Sequence, residues 1–183
     1  SHKGILLALE EINARGGVLG RPLVLVTEDN QSKAGDSATV TKKLVSRDKV
    51  VAVICGGTST SCLEAGPICQ AARVPLIGTT ATDPSVTTQG TYIFRNCFID
   101  PFQGTVLAKF AHQTLKAKRV AILTSVGAPY SVGLSKVFRE TFTQLGATIA
   151  GDSKYSEGDK DFRAQLTAIN AAAHHPLVAT GYY

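Results

Sequence analysis

The chain contains no methionine, and it begins at SHKGILLALEEI, inside what the spacing of its apolar residues predicts to be a helix. No signal peptide precedes that helix. We therefore expect the sequence to omit processed or chemically modified residues. No apolar run approaches the ~18 residues that a membrane-crossing helix needs, so no membrane span is predicted.

The sequence also lacks the spacings of a metal site. Its cysteines, Cys55, Cys62, Cys69 and Cys97, include no CxxC pair, and its histidines include no HxxxH pair. Most of these cysteines are expected to be small buried residues, and the sequence leaves open whether two of them form a disulfide. Neither a metal nor a cofactor is predicted.

Several function classes lack their motifs as well. There is no GxxxxGK[ST] or GxGxxG motif for a nucleotide and no GxSxG elbow for a serine hydrolase. The lysines and arginines behind the net charge of +5 are scattered along the chain. They favour a solvated basic surface over a nucleic-acid interface, because no basic stripe with interleaved aromatic residues is present.

Short apolar runs alternate with helix-like segments along the whole chain. This alternation predicts an α/β fold built from βαβ units, with parallel strands buried on both faces. Segment 23–27 is predicted to be such a strand. A helix is predicted over 63–72, beginning near Pro67, because proline is best tolerated in the first turn. Asp100 and Pro101 signal another helix start, which divides the chain into two similar halves.

Ligands of parallel α/β sheets bind at the carboxyl ends of the strands. Connections of this kind that carry hydroxyl groups or tyrosines near glycines are 55–61 (CGGTSTS), 78–83 (GTTATD), 125–131 (SVGAPYS) and 181–183 (GYY). A serine at a strand-to-helix turn can offer its hydroxyl and backbone N–H groups to a carboxylate. The pattern favours a small polar ligand, while helix capping by the same hydroxyl groups stays an alternative.

The ordered series of motifs resembles that of type I periplasmic substrate-binding proteins of ABC transporters, of the kind that binds leucine, isoleucine and valine. The matching stretches are GILLALEEINARGGVLGRPLVLVTEDNQS, ICGGTSTSCLEAGPICQAARVPLIGTTATDPSVT, YIFRNCFIDPFQG, APYSVGLSKVF, EGDKDF and GYY. The resemblance implies the periplasmic binding protein-like I fold, in which a hinge joins two Rossmann-like lobes with parallel sheets. An N-terminal lobe over 1–100 and a second lobe over 101–183 are expected.

The resemblance also implies the residues of an amino-acid site. Ser59 is expected to take the α-carboxylate of the ligand, with Thr82 supporting it through a backbone N–H and a hydroxyl. Thr80 would offer its carbonyl to the α-ammonium group. Tyr130 and Tyr182 would close over the ligand from the second lobe, with ordinary packing at a sheet end as their alternative. Further residues of the same loops are Thr60, Ser61 and Ala81.

The sequence departs from the family's pattern in several places. Family members begin with a strand before the first helix, and they continue well past GYY, where an acidic residue usually pairs with the ligand's ammonium group. Asn30 and Thr58 stand where some relatives carry a cysteine pair, so that bridge is not expected. Both lobes are therefore expected to be incomplete, with apolar helix faces exposed or covered by another chain.

By resemblance, the protein is a solute-binding protein and not an enzyme. It would capture a branched-chain or similar aliphatic amino acid and deliver it to the membrane permease of an ABC transporter. The implied location is periplasmic or extracellular, after removal of a signal peptide and with a lipid anchor left open. The sequence also leaves open whether the chain forms a dimer or pairs with a complementing chain.

Two other function classes stay open at this point. The same fold serves as the ligand-sensing domain of receptors and transcription regulators. An α/β enzyme would need a reactive side chain at the loops named above, and only Cys55 is close enough. A buried thiol at a strand end is more often inert than reactive.

Overall fold

The computed structural model describes residues 1–33, 35–172 and 176–182. They form two compact units, one of Ser1–Ala81 with Ser85–Cys97 and the other of Thr82–Pro84 with Phe98–Tyr183. Each unit contains a three-stranded sheet in which all strands run parallel. The α/β fold with parallel sheets is thereby confirmed, and the lobes 1–100 and 101–183 stay a prediction.

The first sheet has the strand order β1-β2-β3. Its elements are α1 (His2–Ala14), α2 (Asp36–Lys42), β1 (Val53–Cys55), α3 (Ser59–Ala72), β2 (Leu76–Gly78) and β3 (Ile93–Arg95). A 3-10 turn over Pro84–Gln89 precedes β3. The core packs α3 onto the sheet through Cys62, Ala65, Cys69, Leu76 and Ile93. Burial of this apolar surface is the main force that holds the helix to the strands.

The second sheet has the order β5-β4-β6. Its elements are α4 (Asp100–Lys109), β4 (Arg119–Ser125), α5 (Pro129–Gln144), β5 (Thr148–Tyr155), α6 (Arg163–Ala171) and β6 (Leu177–Ala179). The central strand β4 is buried from its second residue to its last, as expected for a parallel strand covered on both faces. The rings of Phe138 and Phe142 stack with centroids 5.3 Å apart in this core.

Two helices end in the same unusual way. A π-helical turn continues α2 over Lys43–Arg47, and another continues α4 over Phe110–Thr114. A left-handed lysine follows each turn, Lys49 with φ 53° and Lys116 with φ 56°. Each π-helical turn and its lysine precede a strand, so the two halves repeat a structural pattern although their residues differ.

Segment 23–27 is not the buried strand that its apolar residues predict. Val24 is 84% exposed and Val26 is 41% exposed. The side chain of Asn13 holds the start of the segment, since its amide donates to the Leu23 carbonyl at 2.8 Å and accepts from the Leu23 N–H at 2.7 Å. A strand requires a neighbouring strand to satisfy its backbone groups. Among the described residues, no strand pairs with this segment.

Helix α3 begins earlier than predicted, at Ser59, and Pro67 lies inside it. The hydroxyl of Thr58 accepts a hydrogen bond from the Ser61 N–H at 3.3 Å and so caps the helix. Proline removes only one helical hydrogen bond, and the buried face of α3 supplies packing that offsets this loss. The cap and the packing together outweigh the proline signal.

The structure corrects the interpretation of Cys55 as a thiol. Cys55 and Cys62 form a disulfide, while Cys69 and Cys97 remain thiols. Burial raises the pKa of the Cys69 thiol to about 11. The enzyme alternative thus loses the one reactive side chain that the sequence offered it.

We expect iodoacetamide at pH 8 to alkylate Cys97 in the folded chain and to leave Cys69 unmodified. Cys69 is fully buried, and a pKa about three units above the pH leaves only about one thiol in a thousand ionised. Mass spectrometry of the digested protein measures the labelling, with denatured protein as the control in which both residues react. Equal labelling of both in the folded chain would contradict the structure.

Phe138→Ala should lower the free energy of unfolding by about 3–5 kcal/mol, because it leaves a cavity in the core of the second unit. Val132→Ala on the same helix is the control, since Val132 is 47% exposed and should change the stability by less than about 1 kcal/mol. Urea denaturation followed by circular dichroism measures both. Similar losses of stability for the two variants would contradict the placement of Phe138 in the core.

Candidate functional site

The connections that follow β1 and β2 meet at the carboxyl edge of the first sheet. The register of these strands pairs Cys55 with Gly78, so both strands end at the same level. The Thr80 hydroxyl donates to the Gly57 carbonyl at 2.7 Å, and the Thr79 N–H donates to the Cys55 carbonyl at 3.1 Å. The structure therefore joins the 55–61 and 78–83 connections, which the sequence marks separately.

Ser59 is the first residue of α3 and is 1% exposed. The first N–H groups of a helix have no acceptor within the helix, and they carry the positive end of its dipole. A carboxylate is stabilised at such a position by hydrogen bonds from these N–H groups and from a nearby hydroxyl. The turn from Gly57 to Thr60 thus presents hydroxyl and N–H groups of the kind that an anionic head group requires, while the Ser61 N–H donates to the Thr58 cap.

Asn30 supports this turn from outside it, although the sequence names it only as a residue that replaces a cysteine of some relatives. Its Nδ2 donates to the Ser61 hydroxyl at 3.0 Å and to the Ser37 hydroxyl at 2.8 Å. The Ser61 hydroxyl also lies 3.2 Å from the hydroxyl of Thr58. Ser61 is therefore held within a polar network, which fits a supporting role better than direct contact with a ligand.

Arg95 fixes the connection after β2 and is a residue that sequence reasoning missed. Its Nη1 donates to the Ala81 carbonyl at 3.1 Å, and its Nη2 donates to the Thr87 hydroxyl at 2.7 Å. Ala81 is fully buried, whereas Thr80 is exposed. No motif links Arg95 to this loop, because the contact arises only when β2 and β3 pair.

The candidate residues divide between the two units. Ser59, Thr60, Ser61, Thr80 and Ala81 belong to the first unit, and Thr82, Tyr130 and Tyr182 belong to the second. Thr82 is 8% exposed, and its carbonyl accepts a hydrogen bond from the Asp100 N–H at 3.0 Å. Thr82 thus contacts the start of α4, where the second unit resumes.

In the second unit, the predicted tyrosines lie together. The rings of Tyr130 and Tyr182 stack with centroids 5.2 Å apart and planes 21° apart. Tyr130 lies in the first turn of α5, and Gln103 donates to its phenolic oxygen at 3.2 Å. The Tyr155 hydroxyl lies where a Cβ at Gly181 would be, so a side chain at this position would require Tyr155 to move. Tyr183, the last residue of this connection, lies outside the described residues.

Buried hydroxyl groups lie near Tyr130 and Tyr182 along the chain and form what we call the hydroxyl cluster: Thr124, Ser131, Ser135 and Thr180. The Thr180 hydroxyl lies 2.9 Å from that of Ser131 and 2.7 Å from that of Ser135. Thr124 lies 2.7 Å from Ser135. These hydrogen bonds tie the ends of β4 and β6 to the first turns of α5, the helix that carries Tyr130.

A cavity of about 410 Å³ in the first unit contains none of the candidate residues. Its walls are mostly apolar and come from one face of α1, from Leu23, and from Ile54 and Ile77 of the sheet. Polar groups enter these walls only through Ser1, Thr79 and Asn96, so the lining suits an apolar surface better than a charged head group. The hydroxyl-rich turns, and not this cavity, are therefore the candidate site.

Within the ranges that the structure describes, no group of three or more histidine, cysteine, aspartate or glutamate side chains could hold a metal ion. No helix among the same residues is both long enough and apolar enough to cross a bilayer.

Parallel α/β units whose strands end in hydroxyl-rich turns define a class of proteins that bind small molecules at sheet edges. Residues 1–182 match the periplasmic binding protein family, and the chain belongs to that family. An amino acid binding protein of Pseudomonas aeruginosa is 33% identical over 93% of this chain and 46% of its own length. A Leu/Ile/Val-binding protein of Rhizobium johnstonii is 32% identical over 98% of this chain and 49% of its own length.

Solved structures agree with this family. A leucine-binding protein, LivK, from Thermotoga maritima has a TM-score of 0.92 and 39% identity over 98% of this chain and 50% of its own. The branched-chain amino acid binding protein LivJ from Streptococcus pneumoniae, solved with isoleucine, has a TM-score of 0.92 and 36% identity over 100% of this chain and 51% of its own. The chain spans about half the length of these relatives.

Thr180→Val should lower the free energy of unfolding by about 2 kcal/mol, because it leaves two buried serine hydroxyls without a shared partner. Thr148→Val is the matched control, since Thr148 lies exposed on β5 of the same sheet and should change little. Urea denaturation measures both variants. Equal stabilities for Thr180→Val and the wild type would contradict a cooperative hydroxyl cluster.

Proposed function

We propose that this chain is the ligand-binding part of a solute-binding protein that captures a branched-chain or similar aliphatic amino acid and delivers it to the permease of an ABC transporter. In this proposal Ser59 takes the α-carboxylate, with Thr82 as its support, and the Thr80 carbonyl takes the α-ammonium group. Tyr130 and Tyr182 cover the ligand from the second lobe. Thr60, Ser61 and Ala81 line or hold the same turns.

The observation that carries the proposal is the start of α3. Ser59 follows a Thr58 cap, and the Thr80 loop is hydrogen-bonded to the preceding glycine turn. Hydroxyl and N–H donors at a helix start suit a carboxylate, while a carbonyl in the adjacent loop suits an ammonium group. Donors for the negative group of a zwitterion and an acceptor for its positive group thus lie in neighbouring connections.

The relatives support the choice of ligand. Two of them are named for leucine, isoleucine and valine or for leucine alone, and the solved LivJ structure contains isoleucine. Their similarity extends over nearly the whole of this chain, so it includes the candidate turns. An aliphatic side chain on the ligand is therefore the first to test.

The disulfide supports a location outside the cytoplasm. Disulfides form and persist in oxidising compartments such as the bacterial periplasm and the extracellular space. A periplasmic or extracellular location also agrees with the family to which the chain belongs.

Ser59→Ala should weaken binding of L-leucine by about 10- to 100-fold, because it removes a hydrogen bond to a charged group. Isothermal titration calorimetry of the purified chain measures the dissociation constant, and L-lysine serves as the amino acid whose side chain carries a charge. Ser46→Ala is the matched variant, since Ser46 lies exposed near the end of a helical segment outside the candidate turns.

The proposal requires that the wild type and Ser46→Ala bind leucine, isoleucine or valine with similar affinity. If the wild type binds none of these three amino acids, the proposed function is wrong for this chain. If Ser59→Ala binds as well as the wild type, the carboxylate lies elsewhere. Loss of binding in Ser46→Ala as well would attribute the effect to general damage.

A further inference from the structure

The disulfide encloses the candidate carboxylate turn. Cys55 is the last residue of β1, and Cys62 lies in the first turns of α3, seven residues further along the chain. The covalent ring they close therefore contains Ser59, Thr60 and Ser61. Among the described residues, the end of β1 and helix α3 are linked covalently by the polypeptide backbone and by this disulfide alone.

Weak interactions hold the rest of this turn. Gly56 and Gly57 come directly after the strand, and glycine loses more conformational freedom on ordering than any other residue. The noncovalent restraints on the turn include the Thr58 cap, the hydrogen bond from Asn30 to the Ser61 hydroxyl, and the hydrogen bond from the exposed Thr80 side chain to Gly57. Each such hydrogen bond contributes little net free energy, so a covalent restraint has a large effect on this segment.

The disulfide is itself anchored in the core of the first unit. Cys62 is fully buried among Ala65, Cys69 and Leu76. Its Sγ lies 3.4 Å from the place that a Cβ on Gly78 would occupy, at the end of β2. The bond thus connects the turn to the part of the sheet that carries the Thr80 loop.

We propose that the Cys55–Cys62 disulfide is a positioning element of the amino-acid site, which holds the Ser59 turn ready to receive the ligand's carboxylate. This inference rests on the proposed function. A binding site that is already ordered before the ligand arrives loses less entropy on binding, and its affinity rises accordingly. Breaking the bond should therefore weaken recognition of the carboxylate more than recognition of the rest of the ligand.

The test compares oxidised and reduced wild-type protein. A trialkylphosphine reduces the disulfide: the S–S bond breaks, each sulfur takes up a proton, and the phosphine becomes its oxide with oxygen from water. Thiol titration in denaturant should find two thiols before reduction, Cys69 and Cys97, and four afterwards. Four thiols in the protein as purified under air would overturn the proposal.

The first readout is hydrogen exchange and needs no ligand. Reduction should speed exchange of the amides between Gly57 and Ser61 by about tenfold or more and leave the second unit unchanged. Cys55→Ser with Cys62→Ser should exchange like the reduced wild type and should not respond to the phosphine. Unchanged exchange in this turn after complete reduction would overturn the proposal.

The second readout compares L-leucine with L-leucinamide, which lacks the carboxylate. Reduction should weaken leucine binding by about tenfold while changing leucinamide binding little, because only leucine uses the ordered turn. A general structural role would weaken both compounds equally, and that result would overturn the proposal. If the oxidised chain binds neither compound, the proposed function is wrong, and hydrogen exchange alone then decides whether the disulfide orders the turn.

Discussion

Parallel pairing requires all strands of a sheet to end at one edge, and each following segment must begin there. In the first unit this constraint places the turn after Cys55 beside the loop after Gly78. In the second unit it places the end of β4 beside the end of β6. Hydroxyl groups and backbone N–H groups gather at both edges for this reason. The candidate site depends on this arrangement more than on any single residue, because residues far apart in sequence meet only through the pairing.

The two units stabilise their edges by different means. The first unit uses a disulfide, a threonine cap and the guanidinium group of Arg95 to hold its turns. The second unit uses the hydroxyl cluster, in which Thr180 links two serines of α5 to the end of β6. A covalent ring restrains a glycine-containing turn that is otherwise held by hydrogen bonds. Buried hydroxyl groups, by contrast, are stable only when each finds a partner, so the cluster restrains several elements at once.

Local sequence signals predicted most of the helices and strands, and their errors have physical causes. Segment 23–27 has the apolar residues of a strand, but a strand also needs a neighbour that local sequence cannot supply. Pro67 suggested a helix start, but the Thr58 cap and the core face of α3 extended the helix back to Ser59. The disulfide stayed open because four cysteines allow several pairings, and spacing alone does not choose among them. In each of these places tertiary contacts prevailed over a local preference.

The sequence by itself determined the alternation of strands and helices, the hydroxyl-rich connections and the order of motifs that resembles a solute-binding family. These features are local, so neighbouring residues carry the whole signal. Only the tertiary structure decided that Thr80 meets Gly57, that Asn30 supports Ser61, and that Tyr130 stacks on Tyr182. Such contacts join segments separated by many residues, and their geometry depends on strand register and helix packing, which no local pattern specifies.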